Sequence, residues 1–275
     1  MSGSSHSSLE TTRAAQILKR VKDLQTQRNA RDLYKQFYVE GVRNFVRANE
    51  HGFEIETILY SEKLCTAPMA RQLVRRSRRA GIEVLNVTPE TYRSLSATEH
   101  ASGVGAILRQ RWDTLESVDP QSQCLWIVLE AVNNAGNLGT LIRTAEAVGA
   151  NGFILLGQSL ELHAPATVRA TMGALHAQRF VSSSLNAFTA WIRKHNLSVI
   201  GASPDGTVDF DTYMYPRATF LLLGEERKGL TPPQRNLCDT LLRIPMVGTS
   251  DSFNLAVAGS LMLYQIYRQK RESSS

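Results

Sequence analysis

The segment TFLLLGEERKGL, residues 219–230, carries the clearest structural signal in the chain. Its apolar start, Thr219–Leu223, is typical of a strand buried on both faces of a sheet. An acidic pair, Glu225 and Glu226, follows between two glycines. Acidic side chains near the positive end of a helix dipole explain such a pair as well as a functional site does. A buried strand that opens into a polar loop nevertheless directs attention to the carboxyl edge of a parallel sheet, where ligands bind.

The rest of residues 118–275 repeats this alternation of strands and helices with short connections. We predict further strands at Leu125–Leu129, Phe153–Leu156, Ser198–Ala202 and Leu241–Ile244. We predict helices at Leu138–Val148, Pro165–Leu175, Ala187–His195, Pro232–Leu237 and Leu255–Arg268. Such alternation indicates an α/β fold in which helices cover both faces of a parallel sheet.

Residues 13–117 form a second, smaller α/β domain in this interpretation. Its predicted helices are 13–35, Val42–Ala48, Ala67–Ala80 and one that starts at Thr88, and its predicted strands are Ile55–Tyr60, Ile82–Val87 and Val104–Arg109. The polar stretch 113–123 contains Pro120 and places the domain boundary between residues 117 and 118. Residues 1–12 are predicted to be a disordered tail, and their Ser-rich start lacks the apolar region of a secretory signal.

The positive charge is concentrated in the N-terminal domain. Residues 1–117 hold 18 Lys and Arg against 13 Asp and Glu, a net charge of +5, whereas residues 118–275 carry +1. Five arginines and no acid lie between residues 69 and 80. A solvated helix face is the simplest explanation of a charge run, but an unneutralised face favours a phosphate backbone as partner. The predicted RNA contacts are Lys35, Arg43, Arg71, Arg75, Arg78 and Arg79.

Several classes of protein are disfavoured by composition. No apolar stretch approaches the length of a membrane span, so no membrane partner is expected. The three cysteines, Cys65, Cys124 and Cys238, are far apart. Their spacing indicates neither a disulfide framework nor a zinc site. A reducing, cytoplasmic environment without a bound metal fits this pattern.

Two more loops follow predicted strands. The first is AVNNAGNLG, residues 131–139, which leads into a helix that Asn137 can cap and that carries Arg143. A simple capped turn explains this loop too, and the G-x-G-x-x-G order of dinucleotide-binding folds is absent. The second is IPMVGTSDSFN, residues 244–254, in which Ser252 and Asn254 are capping types. Its small residues suit a backbone-lined pocket for a flat ring.

In order and spacing, the three loops resemble the signature motifs of the SpoU (TrmH-type) branch of the SPOUT methyltransferases. Asn-x-Gly-Asn-x-Gly followed by Arg-Thr-Ala appears from Asn134 to Ala145, Gly-x-Glu-x-x-Gly-Leu from Gly224 to Leu230, and the Ile-Pro-Met motif from Ile244 to Asn254. Phe253, Ala135 and Gly259 replace residues common in the family. The N-terminal segment from Phe37 to Thr98 looks, more loosely, like the ribosomal-protein-like substrate-binding domain of rRNA-modifying members.

The resemblance implies a deep trefoil knot, an exception to unknotted topology, and a homodimer with the site at its interface. It also implies S-adenosylmethionine (SAM) as cofactor and RNA, not DNA, as partner. The implied catalytic residues are Asn137, Arg143, Glu226, Ser252 and Asn254. The implied cofactor-binding residues are Leu222, Leu223, Gly224, Ile244, Met246, Phe253 and Leu255.

The resemblance implies methyl transfer from SAM to a ribose 2′-hydroxyl, with 23S ribosomal RNA as the first substrate and tRNA as the second. Arg143 is the residue that would activate the hydroxyl. Because a guanidinium is a poor base, anchoring a phosphate and orienting the hydroxyl is an equally sound role for it. A catalytically silent RNA-binding module of the same fold is the alternative function.

Overall fold

The computed structural model describes residues 3–120, 122, 124–157 and 160–272. Met1 and Ser2, the first residues of the predicted tail, lie outside these ranges. In the N-terminal part the elements are α1 (Gly3–Thr26), α2 (Arg28–Tyr34), β1 (Gln36–Glu40), α3 (Val42–Glu50), β2 (Ile55–Tyr60), α4 (Pro68–Arg79), β3 (Glu83–Asn86), α5 (Pro89–Leu95) and β4 (Val104–Arg109).

A short 3₁₀ turn, Leu115–Ser117, precedes the second run of elements. These are β5 (Cys124–Leu129), α6 (Ala135–Ala147), β6 (Gly152–Leu156), α7 (Pro165–Ala170), β7 (Arg179–Ser183), α8 (Leu185–Lys194), β8 (Val199–Ala202), β9 (Val208–Asp209), β10 (Ala218–Leu223), α9 (Pro232–Leu237), β11 (Thr240–Arg243) and α10 (Leu255–Glu272). None of the helices in the described ranges is long and apolar enough to cross a membrane.

The described strands form two sheets. The N-terminal sheet has the order β1-β4-β2-β3, with β4 antiparallel to both of its neighbours and β3 parallel to β2. The second sheet has the order β7-β6-β5-β10-β8-β11-β9, and every pair in it is parallel. Every residue of β5 and β6 is buried, because helices cover both faces. The predicted parallel α/β sheet and the separate N-terminal α/β region are confirmed.

The chain divides into two compact units, and their boundary differs from the predicted one. Residues up to Gln110 form the first unit together with Leu162–His176, and the remaining residues form the second. The boundary thus lies seven residues earlier than predicted. The crossover between β6 and β7 enters the first unit, where α7 packs on β1. The ring of His163 lies 4.5 Å from that of Phe37, and burial lowers the pKa of His163 to about 3.

Several predicted elements have different bounds. The helix predicted over 13–35 is two helices, of which the first begins at Gly3 and the second follows a break at Gln27. Residues 3–12 are therefore helical where a tail was predicted. Strands β1, β7 and β9 were not predicted. The helix predicted over Pro165–Leu175 ends at Ala170, because Met172 and Gly173 take positive φ angles of 52° and 93°.

Candidate active site

The site lies at the carboxyl edge of the parallel sheet. Strand β10 sits between β5 and β8, and β8 sits between β10 and β11. Since all of these strands run in the same direction, the loops that follow them meet at one edge. The three loops singled out in the sequence are those after β5, β10 and β11.

The helix after the β5 loop, α6, is capped by a different residue from the one predicted. The side chain of Asn134, not Asn137, accepts hydrogen bonds from the backbone N–H groups of Gly136 (2.7 Å) and Asn137 (3.2 Å). Helix α6 therefore begins at Ala135, three residues earlier than predicted. This shift leaves the Asn137 side chain free of capping and available to the other loops.

Asn137 connects all three loops through its side-chain amide. Its Nδ2 donates to Oε1 of Glu226 at 2.6 Å, and its Oδ1 accepts from Nδ2 of Asn254 at 3.2 Å. Asn254 also caps α10, since its Oδ1 accepts from the backbone N–H of Ala256 at 2.9 Å. Three of the five predicted catalytic residues thus form one hydrogen-bonded chain, which fixes the Glu226 carboxylate relative to two helix starts.

The loop after β10 folds into a tight turn that needs glycine. Glu225 and Gly229 exchange two backbone hydrogen bonds of 3.1 and 2.9 Å. A Cβ on Gly224 would lie 2.2 Å from the carbonyl carbon of Gly229, so the turn leaves no room for a side chain there. Asn133 of the first loop donates to the Glu225 carboxylate at 3.2 Å. Both acids of the pair are therefore tied to the loop after β5.

Helices α6 and α10, which start at the site, pack closely on each other. The hydroxyls of Thr144 and Ser260 lie 2.9 Å apart. A Cβ on Gly259 would lie 2.4 Å from Cδ2 of Leu141 and 2.9 Å from Cδ1 of Leu223. The small residue at 259 lets α10 approach α6 and the end of β10, which accounts for its departure from the family pattern.

A cavity of about 310 Å³ opens beside these loops. Six of the seven predicted cofactor-binding residues line it: Leu223, Gly224, Ile244, Met246, Phe253 and Leu255. Leu222 does not line the cavity, because successive strand residues point to opposite faces and its side chain lies in the core with Trp126 and Val128. Glu226 and Ser252 also line the cavity; Asn137 and Asn254 do not, but Asn137 is hydrogen-bonded to Glu226 of the wall.

Two parts of the cavity wall were not predicted from the sequence. The loop after β8 contributes residues 203–205, and α9 contributes Arg235. The loop could have been found by the same rule as the others, since Ser203-Pro-Asp-Gly206 follows the end of a parallel strand. Arg235 lies in no recognisable motif, so no sequence signal indicates it.

Arg143 is not brought to the cavity of its own chain. It is exposed on α6, and no residue in the described ranges gives it a hydrogen bond or an ion pair. The step of six residues from Asn137 turns the helix by about 600°, which puts the two side chains on different faces. Ser252 is exposed at the cavity wall.

The arginines of α4 fall into two groups. Arg71 is half-buried, and its guanidinium donates to the carbonyls of Cys65 (2.5 Å) and Glu62 (3.2 Å), so it holds the turn before the helix. The others are exposed. They are Arg75, Arg76, Arg78 and Arg79. Arg78 donates to Asn86 at 3.1 Å, and the predicted contacts Lys35 and Arg43 are exposed as well.

Known families match both parts of the chain. Residues 124–264 match the SpoU rRNA Methylase family, and residues 15–106 match the MRM3-like substrate binding domain. The chain belongs to the SpoU rRNA methylase family. The resemblance stated from the three motifs is thereby confirmed, and the N-terminal substrate-binding domain is confirmed with it.

Individual relatives agree with the family. The chain is 30% identical over 250 residues to the 23S rRNA (uridine(2479)-2′-O)-methyltransferase of Streptomyces viridochromogenes, which covers 88% of this chain and 86% of the relative. The crystal structure of an AdoMet-bound rRNA methyltransferase from Sinorhizobium meliloti superposes with a TM-score of 0.84 at 33% identity, covering 92% of this chain and 94% of that one. AviRb, a SpoU methyltransferase from Streptomyces viridochromogenes solved with AdoMet, has a TM-score of 0.84 at 28% identity and covers 92% and 97%.

Proposed function

We propose that this protein transfers a methyl group from SAM to a ribose 2′-hydroxyl of RNA, with 23S ribosomal RNA as its substrate. The observation that carries the proposal is that the side chains of Glu226, Asn137 and Asn254 are hydrogen-bonded in a row beside the cavity. It joins the three family motifs at the edge of the sheet where ligands bind. Relatives that cover nearly the whole chain are named as rRNA 2′-O-methyltransferases or were solved with AdoMet. With ribosomal RNA as substrate, we propose that the protein acts in the cytoplasm.

The cavity fits a cofactor of this kind. Its volume lies at the lower end of the usual range for small-molecule sites, about 300–1,000 Å³. One part of its wall is apolar, with Leu223, Ile244 and Leu255, which suits a flat adenine ring. The other part is charged, with acids such as Asp205 and Glu226 that suit the cationic groups of SAM. When bound, SAM supplies an activated methyl group on a sulfonium.

The chain's own residues supply placement for this reaction. Direct displacement requires the ribose oxygen to be aligned with the methyl group. Holding the reactants in line removes a large part of the activation barrier. The Asn137 amide fixes the Glu226 carboxylate at the cavity wall. We assign Arg143 to anchoring an RNA phosphate and orienting the hydroxyl, since a guanidinium stays charged and presents a rigid fork of donors.

We propose that the active form is a homodimer with the site at its interface. Three apolar residues on α10, Val257, Leu261 and Tyr264, are exposed. Their spacing of four and three residues puts them on one helix face. A contiguous exposed apolar face marks a partner surface. Arg143 does not line the cavity of its own chain. A dimer that brings Arg143 to the partner's cavity explains why this side chain lies on the surface. The trefoil knot of the C-terminal domain stays a prediction of the resemblance.

We propose that the exposed arginines of α4 bind the RNA backbone. Replacing Arg75, Arg76 and Arg79 together by glutamine should weaken RNA binding and lower the dependence of log K on log[salt] by about two to three, since each lost phosphate contact removes about 0.9. Affinity for SAM should not change. Fluorescence anisotropy with a labelled rRNA fragment over a series of salt concentrations measures both quantities.

The matched control is Arg109→Gln in the same unit. Arg109 is paired with Glu54 (3.3 Å) and Glu56 (2.6 Å) and so has no surplus charge to give to RNA. The Arg109→Gln variant should leave the dependence of log K on log[salt] unchanged. An unchanged slope in the triple variant as well would remove α4 from the RNA surface.

Methyl transfer to total RNA tests the proposed function directly. The purified protein is incubated with methyl-labelled SAM and with total RNA from cells that lack this protein, and ribose-methylated positions are mapped. We expect one ribose-methylated position in 23S rRNA. Labelling of tRNA alone would replace the proposed substrate. SAM binding without any methyl transfer, or no SAM binding at all, would overturn the enzymatic function.

A further inference from the structure

The cavity wall contains a fixed pair of opposite charges that the family motifs do not include. Arg235 of α9 and Asp205 of the loop after β8 both line the cavity. Nη2 of Arg235 donates to Oδ2 of Asp205 at 2.7 Å. The pair joins two elements that lie on opposite sides of the loop after β10 in sequence, residues 203–205 before it and α9 after it.

Both members of the pair are held by further hydrogen bonds. Nε of Arg235 donates to the carbonyl of Leu230 at 3.3 Å, and Leu230 is buried at the end of the loop after β10. The backbone N–H of Asp205 donates to the hydroxyl of Ser203 at 3.2 Å. A guanidinium has five N–H donors, so these two contacts leave Arg235 with donors for a ligand.

The other cations of the described cavity wall are less firmly placed. Arg227 and Lys228 are exposed in the turn after β10. The Lys228 ammonium lies 3.8 Å from the Glu225 carboxylate and its side chain is 79% exposed, whereas that of Arg235 is 34% exposed. Arg235 is therefore the cation best preorganised to bind an anion in the cavity.

We propose that the Arg235–Asp205 pair recognises the α-amino-acid end of the cofactor. An α-amino acid carries a carboxylate and an ammonium on neighbouring atoms, and the pair offers the complementary guanidinium and carboxylate. Planar guanidinium groups bind carboxylates in a fork geometry that a lysine does not reproduce. The inference rests on the proposed function and names the residues that make its cofactor site specific for a ligand with an amino-acid end.

Two ligands that differ only in this end provide the test. S-adenosylhomocysteine carries the amino acid, and 5′-methylthioadenosine has the same thioether nucleoside without it. Titration calorimetry on the full chain should show that wild type prefers S-adenosylhomocysteine by at least about tenfold. Arg235→Gln should reduce this preference by about tenfold and leave the affinity for 5′-methylthioadenosine nearly unchanged. Asp205→Asn should reduce it less, because Asp205 is 69% exposed and its charge is more strongly screened.

Arg243→Gln is the matched control. Arg243 forms an equivalent pair with Asp209 at 2.6 Å in the same unit but does not line the cavity. It should keep the wild-type preference. If Arg235→Gln weakens both ligands equally, or leaves the preference intact, Arg235 only supports the loop through Leu230 and the inference is wrong. If wild type binds neither ligand, the proposed cofactor itself fails, which is a distinct result.

Discussion

Replacing Arg143 by alanine is expected to lower kcat by at least about 100-fold while leaving SAM affinity and stability close to those of wild type. The side chain is exposed and does not line the cavity. Its removal takes no hydrogen bond or ion pair from the part of the fold that the structure describes, and alanine is the best helix former. Exposed substitutions of this kind change stability by less than about 0.5 kcal/mol. Single-turnover methyl transfer, SAM titration and thermal unfolding measure the three quantities separately.

Arg143→Lys tests whether the planar guanidinium, and not only its positive charge, is needed. Lysine keeps the positive charge but lacks the planar fork, so it should fail to restore activity if Arg143 anchors a phosphate and orients the hydroxyl. Addition of free guanidinium should then restore part of the activity of the alanine variant. Full activity of Arg143→Ala would exclude the residue from the mechanism.

Much of the fold could be predicted from periodicity because it depends on local sequence. The apolar runs that became β5, β6 and β10 are buried on both faces, and each lies within a residue of its predicted bounds. The crossover segment 162–176 could not be assigned to the first unit, since long-range packing on β1 decides that and no local pattern encodes it. Strand β9, only two residues long, is too short for any periodicity to appear.

The site was predictable to the level of loops but not of contacts. Asn134 and Asn137 are chemically equal as caps, and only the turn geometry selects Asn134 and so directs Asn137 to Glu226. Arg235 and Asp205 are thirty residues apart and meet only in the folded chain. The motifs indicate which loops meet at the carboxyl edge of the sheet, whereas the tertiary structure decides which side chains pair there.

Introducing a charge on the exposed face of α10 is expected to dissociate the proposed dimer and to remove most of the activity. In Leu261→Asp, a carboxylate without a partner would have to be buried in the interface, which costs about 3 kcal/mol or more. That cost corresponds to at least about a hundredfold rise in the dimer Kd. Sedimentation velocity measures the association state, and methyl transfer at the same protein concentrations measures activity.

The matched control is Ala187→Asp, because Ala187 is exposed on α8, a different helix of the same unit. It introduces the same charge and should leave both association and activity unchanged. Thr144, the neighbour of Arg143, hydrogen bonds to Ser260 between the exposed α10 residues Val257 and Leu261. The surface that carries Arg143 therefore adjoins the face that the dimer would cover. A monomeric Leu261→Asp variant with full activity would show that Arg143 serves its own cavity, contrary to the proposal.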